Sequence, residues 1–184
     1  SSGDILYGSV DNGSTWTDIT STVTGTSFSW TGATLSGSNT IVFKITDAAG
    51  NDSATTGIQA YVLDTSAPTA NFTAATDDVG SVTGALSSGD TTDDTALVLS
   101  GSCEAGSTVN VYNGTTLLGA ATVTGTSWSY TATVADGTTY QFNVTETDAA
   151  GNTSSATSDF TVIGDTSAPT ANFTAATDDV GSVT

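Results

Sequence analysis

Histidine and methionine are absent from this chain of 184 residues, cysteine occurs once, proline twice, and a single basic residue stands against nineteen acids. Each shortage excludes something. Without histidine, zinc and non-haem iron lose their commonest ligand, and no Ser–His–Asp or Cys–His arrangement can be built. Cys103 has no second cysteine to pair with and no base to make it a thiolate, so it reads as a small buried apolar residue. Lys44 is the only cation, and the net charge is −18. Such a chain repels a phosphate backbone and an anionic bilayer, so no nucleic-acid partner and no membrane insertion are expected. No apolar stretch approaches the length of a membrane-spanning helix. No basic leader followed by an apolar run is visible.

What the chain has in abundance is Thr, Ser, Gly and Asp, and a close repeat. The run TSAPTANFTAATDDVGSVT occupies 65–83 and returns without a difference at 166–184, 101 residues later. A unit of that length fits a β-sandwich of about 100 residues and exceeds most solenoid repeats. Residues 21–30, STVTGTSFSW, resemble 121–130, ATVTGTSWSY, and TDAAGN occurs at both 46–51 and 147–152. The chain is therefore expected to be a window on a tandem array. Residues 1–64 hold the later strands of one module, 65–165 hold a complete module, and 166–184 hold the opening strand and acidic loop of a third. Both prolines, Pro68 and Pro169, fall in the linkers, where a fixed φ and a missing N–H suit the entry to an edge strand.

Short alternating runs between Gly, Asn and Asp turns predict strands at 95–102, 107–114, 126–134, 139–147 and 158–164, preceded by an opening strand near Ala70–Ala75. In YQFNVTE, Tyr140, Phe142 and Val144 share one face while Gln141, Asn143 and Thr145 share the other. That is the pattern of an antiparallel sheet with one wet side. The expected inner layer is Val98, Val109, Val111, Trp128, Tyr130, Tyr140, Phe142, Val144, Phe160 and Val162. The fold class is all-β: tandem immunoglobulin-like antiparallel sandwiches with about seven strands per complete module.

The run DDVGSVTGALSSGDTTDDT, then LSGSCEAGSTVNVYNGTTLLG, then WSYTATVADGTTYQFNVTETDAAGN, resembles the bacterial immunoglobulin-like repeats of giant type I-secreted adhesins. These include biofilm-associated proteins and the extender regions of RTX adhesins. The resemblance implies a tandem sandwich outside the cell, calcium at the domain junctions, and a structural role in projecting a terminal adhesive domain from the bacterial surface. Two departures stand out. The first module reads YGSVDNGSTWTDI where the second reads VYNGTTLLGAATV, and Cys103 stands where the family commonly has Ala or Thr.

The acids themselves also point to calcium. There are 17 Asp and 2 Glu, and short carboxylates in loops suit an ion that takes six to eight oxygens. Solubility would spread charge evenly, whereas here it gathers at the two ends of the module. Alternating loops place Asp77, Asp78, Asp90, Asp93 and Asp94 at the exit end, with Asp165 in the exit linker. They place Asp148, Asn152 and Glu104 at the entry end, with Asp64 in the entry linker. The expected calcium ligands are Asp64, Asp77, Asp78, Asp93, Asp94, Asp148 and Asp165, with the repeat equivalents Asp47, Asp178 and Asp179. Plain turn chemistry is the competing account of DDVG, TDDT and DAAGN, since Asp caps turns through its own backbone.

No catalytic set is present, and an enzyme is not expected. The expected partners are neighbouring modules of the same protein. End-to-end self-association by strand complementation, giving an extracellular filament, is one alternative. In that case residues 166–184 fill the vacant opening-strand place of residues 1–64 in another chain; completion by covalently continuous sequence is the favoured case. Carbohydrate or ice binding is a further alternative.

Overall fold

The computed structural model describes residues 3–176, and Asp178 and Asp179 lie outside them. Two units separate along the chain, residues 1–66 and 67–184. No α-helix occurs among the described residues.

The first unit has six short strands: β1 (Ile5–Ser9), β2 (Thr17–Asp18), β3 (Val23–Thr24), β4 (Ser27–Phe28), β5 (Asn39–Thr46) and β6 (Thr56–Tyr61). They form a sheet in the order β2-β1-β5-β6 and a separate hairpin, β3-β4. Phe43 on β5 gathers the aromatics, with Phe28 at 4.9 Å and Trp30 at 6.3 Å between ring centroids. Val23, Phe28 and Ile45 stay exposed and line a cavity with Leu6. Lys44 pairs with Asp52 at 2.7 Å and lies over the rings of Trp16 and Tyr7.

The second unit is a two-layer sandwich. Its strands are β7 (Ala74–Asp77), β8 (Gly84–Ala85), β9 (Thr91–Thr92), β10 (Ala96–Ser102), β11 (Thr108–Asn113), β12 (Thr116–Ala120), β13 (Thr122–Thr124), β14 (Ser127–Thr133), β15 (Thr139–Thr147) and β16 (Phe160–Gly164). One sheet runs β13-β14-β10-β7-β8 and the other β12-β11-β15-β16-β9. Every pairing is antiparallel except β16 with β9, which run parallel. Ala75, Leu97, Leu99, Val109, Val111, Trp128, Ala132, Val134, Phe142, Val144 and Val162 close the core between the layers.

Three expectations need correction. Val98 points outward, at 37% exposure, while Leu97 and Leu99 are fully buried. In the continuous apolar run ALVL either face is a reasonable choice, and a one-residue shift exchanges inside for outside. Asn143, read as outward, is buried because its amide donates to Gly114 O at 2.9 Å and Asp159 Oδ1 at 2.8 Å. The opening strand starts at Ala74 rather than Ala70. Residues 71–73 cross over Gly101 instead, where a Cβ would strike Asn71 O and the Trp128 indole. There Trp128 Nε1 donates to Asn71 O at 2.9 Å, and the Phe72 ring stacks on Phe160 at 5.1 Å.

β7 pairs with β10 and β8, and β14 pairs with β10. In the first unit, β3-β4 matches β13-β14 in sequence, so the open place beside β4 corresponds to that of β10. An opening strand like β7 reaches the hairpin only through such an intermediate strand.

Truncating Leu97 or Leu99 to alanine removes fully buried methyl groups from a closed core and is expected to cost about 2–5 kcal/mol. Val98→Ala is expected to stay within about 0.5 kcal/mol, as exposed substitutions do. Denaturant midpoints of the transition that exposes Trp128 distinguish the two; equal losses would contradict the register.

Candidate metal centre

The loop between β7 and β10 is long, yet its ends are pinned. β9 pairs with β16 through Thr91–Ile163 and Thr92–Gly164. Ile163 N donates to Asp90 O at 3.0 Å and Asp165 N donates to Thr92 O at 2.9 Å. The loop therefore lies against the last strand, and the first residue of the exit linker lies beside Thr92. Asp77, Asp93 and Asp165 come together on the wall of one cavity of about 220 Å³, with Ser81, Val82, Thr91 and Thr92.

Buried polar groups stand behind this wall. Asp77 is buried; its Oδ2 accepts from Thr92 Oγ1 at 2.6 Å and its Oδ1 from Val79 N at 2.9 Å. Thr92 Oγ1 in turn accepts from Asp94 N at 3.1 Å. Asp94, 2% exposed, accepts from Ala96 N at 2.7 Å through Oδ1, while Oδ2 is buried with no hydrogen-bond partner. An unmatched carboxylate oxygen away from water is costly. Asp93 is exposed and rests against Gly80, whose φ of +73° and missing Cβ both favour glycine, since a side chain there would collide with the carboxylate. Asp78 is exposed and does not line the cavity.

The DAAGN loops are built as turns. Asp148 Oδ1 accepts from Ala150 N and Asn152 N, each at 2.8 Å, and Oδ2 from Asn152 Nδ2 at 2.8 Å. Asp47 repeats the set with Ala49 N at 2.9 Å, Asn51 N at 2.8 Å and Asn51 Nδ2 at 3.0 Å. In both, the asparagine side chain leads in holding the carboxyl below its ordinary value of 3.8, with its backbone amide adding to the effect. Asp64 accepts from Ser66 N at 2.9 Å. Among the described residues, no group of three or more acidic or thiol side chains is arranged so that it could hold a metal ion by itself. An ion at the cavity therefore has to draw on carbonyls, hydroxyls or water as well as on the carboxylates.

Glu146 escaped the reading of the sequence. It continues the inward face of Tyr140, Phe142 and Val144 and is 1% exposed. Its Oε1 accepts from Glu104 N at 2.6 Å, and its Oε2 is buried without a partner. The signal was the period-2 face itself, extended one step past the last apolar residue.

Residues 67–166 match the model of the bacterial Ig-like domain. The chain belongs to that family. It is also similar to chitinase A1 of Niallia circulans, 37% identical over 147 residues, which cover 76% of this chain and 19% of that enzyme. The chain thus spans under a fifth of that relative's length. No helix among the described residues of this Ig-like chain is long and apolar enough to cross a membrane.

A carboxyl with a lowered pKa stabilises the fold fully above its unfolded value, about 3.9, and loses that contribution as pH falls through the lower folded value. Asn152→Ala is expected to raise the Asp148 titration towards 3.8 and to shrink the stability lost on acidifying below about pH 4. Carboxyl ¹³C NMR against pH checks this. An unmoved titration would show that Asn152 does not hold the carboxylate.

Proposed function

We propose that this chain is a structural extender segment of a bacterial cell-surface adhesin, with calcium at the exit end of the Ig-like unit stiffening the rod. The observation that carries the reading is the convergence of Asp77, Asp93 and Asp165 on one cavity. The donor chemistry fits a hard cation: carboxylates, threonine oxygens and carbonyls, with no nitrogen or sulfur ligand in the set. The cavity joins the end of β7, the long loop and the start of the linker. An ion there ties the linker to the module and partly neutralises a unit that holds no basic residue.

Tandem repetition, the Ig-like family and the absence of histidine support a structural rather than a catalytic role. The family and the similarity to a chitinase support an extracellular or surface location. The carbohydrate reading has less support. Trp128 is buried, Trp30 packs towards Phe43, and Trp16 carries Lys44 over its ring.

Calcium at a hundredfold excess over its Kd is expected to add about 2.7 kcal/mol to the stability of the Ig-like unit by mass action. Asp93→Asn, which keeps the shape and removes one charge from the cavity wall, is expected to weaken binding and shrink that gain. Thermal melts and calorimetric titration in calcium and in chelator check both. No calcium-dependent change would remove the ion from the proposal. Small-angle scattering of a multi-module fragment tests the rod separately, through a greater length and lower flexibility in calcium than in chelator.

A further inference from the structure

The exit linker is also held by a carboxylate that does not line the acid-lined cavity. Asp136 lies in the turn between β14 and β15, followed by Gly137 at a φ of +65°. Its Oδ1 accepts from Thr166 N at 2.7 Å and its Oδ2 accepts from Ser167 Oγ at 2.7 Å. Both oxygens of one side chain are thus taken by two consecutive linker residues, 30 and 31 positions further along.

The backbone supports this approach independently. Gly137 N donates to Gly164 O at 2.8 Å, and Gly164 N donates to Thr138 O at 2.9 Å. At Gly164 a Cβ would collide with the carbonyl of Ala135 and the side chain of Val134. The last strand therefore ends pressed against the 134–138 turn, at a position that excludes any side chain. Asp165, the acid next to the contact, accepts the Ser167 amide on its own Oδ1 at 3.3 Å. It leaves both Asp136 oxygens to the linker's other donors. The Ser167 hydroxyl, followed by the Thr166 amide, holds the Asp136 carboxyl below its ordinary value of 3.8. At the corresponding place in the first unit stands Ser36, which has no carboxylate fork to offer.

We infer that Asp136 is a latch on the exit linker: it fixes the path of Thr166 and Ser167, and so the direction in which the chain leaves the Ig-like unit, without a metal ion. The consequence for a rod rests on the extender reading, but the latch itself does not.

The test uses the full chain, isotopically labelled, in chelator. Asp136→Ala is expected to lower the hydrogen-exchange protection of the Thr166 amide about tenfold while the Val162 amide keeps its protection. Unchanged Thr166 protection with Val162 intact would overturn the latch. Should Asp136→Ala loosen the Val162 region as well, Ser167→Ala decides: it leaves the turn untouched and is expected to raise the Asp136 carboxyl titration towards 3.8. A titration that does not move would reject the contact. Because calcium is absent throughout, failure of the ion proposal leaves both readouts unaffected.

Discussion

Thr92 is the point on which the exit end depends. Its hydroxyl donates to Asp77 and accepts from the Asp94 amide, while its carbonyl accepts from the Asp165 amide. One buried residue thereby fixes the end of the opening strand, the return of the long loop and the start of the linker. A threonine suits this place because its hydroxyl both gives and accepts, and its branched Cβ favours the extended backbone that β9 requires. The acid-lined cavity follows from these three bonds, since they set Asp77, Asp93 and Asp165 on a common wall.

The same logic explains why so many acids coexist with so little positive charge. Backbone amides do the work that cations do elsewhere: Val79 for Asp77, Ala96 for Asp94, Thr166 for Asp136, and Ala150 and Asn152 for Asp148. At Asp136 and Asp148 these charge-assisted bonds, with the Ser167 hydroxyl and the Asn152 side chain, favour the ionised form. In the first unit Asp11 is the extreme case; the hydroxyl and amide of Thr15, with the Ser9 hydroxyl, bring its pKa to about 2. Among the described residues, two buried carboxylate oxygens, on Asp94 and Glu146, lie outside this scheme and have no hydrogen-bond partner.

The alternation in TYQFNVTET was legible because apolar and polar residues alternate from Tyr140 to Thr145, and β15 spans 139–147 as read, with Asn143 buried against that pattern. ALVL offered no alternation, and the choice of Val98 over Leu97 and Leu99 was wrong for that reason. The long acidic loop hid β8 and β9, since two-residue strands leave no period to detect. At the candidate site the grouping of Asp77, Asp93 and Asp165 followed from alternating loops, whereas Asp94 turned out buried and Asp78 apart. Asp136 and Glu146 did not stand out in the sequence. Asp136 sits in an ordinary Asp-Gly turn, and its partners lie 30 residues away. Glu146 has a counterpart in Ile45: Ser53 and Ser154 make the same pair of backbone bonds to the two positions, so the ladder alone demands no carboxylate.

The parallel pairing of β9 with β16 has a mechanical consequence. β9 belongs to the segment that enters the sandwich and β16 to the one that leaves it, and both point the same way. Once β7 has parted from β10 and β8, tension applied to the two ends drags these strands lengthwise past each other in opposite directions. The bonds from Ile163 N to Asp90 O and from Asp165 N to Thr92 O then share the load in shear. They must fail together, where a pair pulled open from one end would yield one bond at a time.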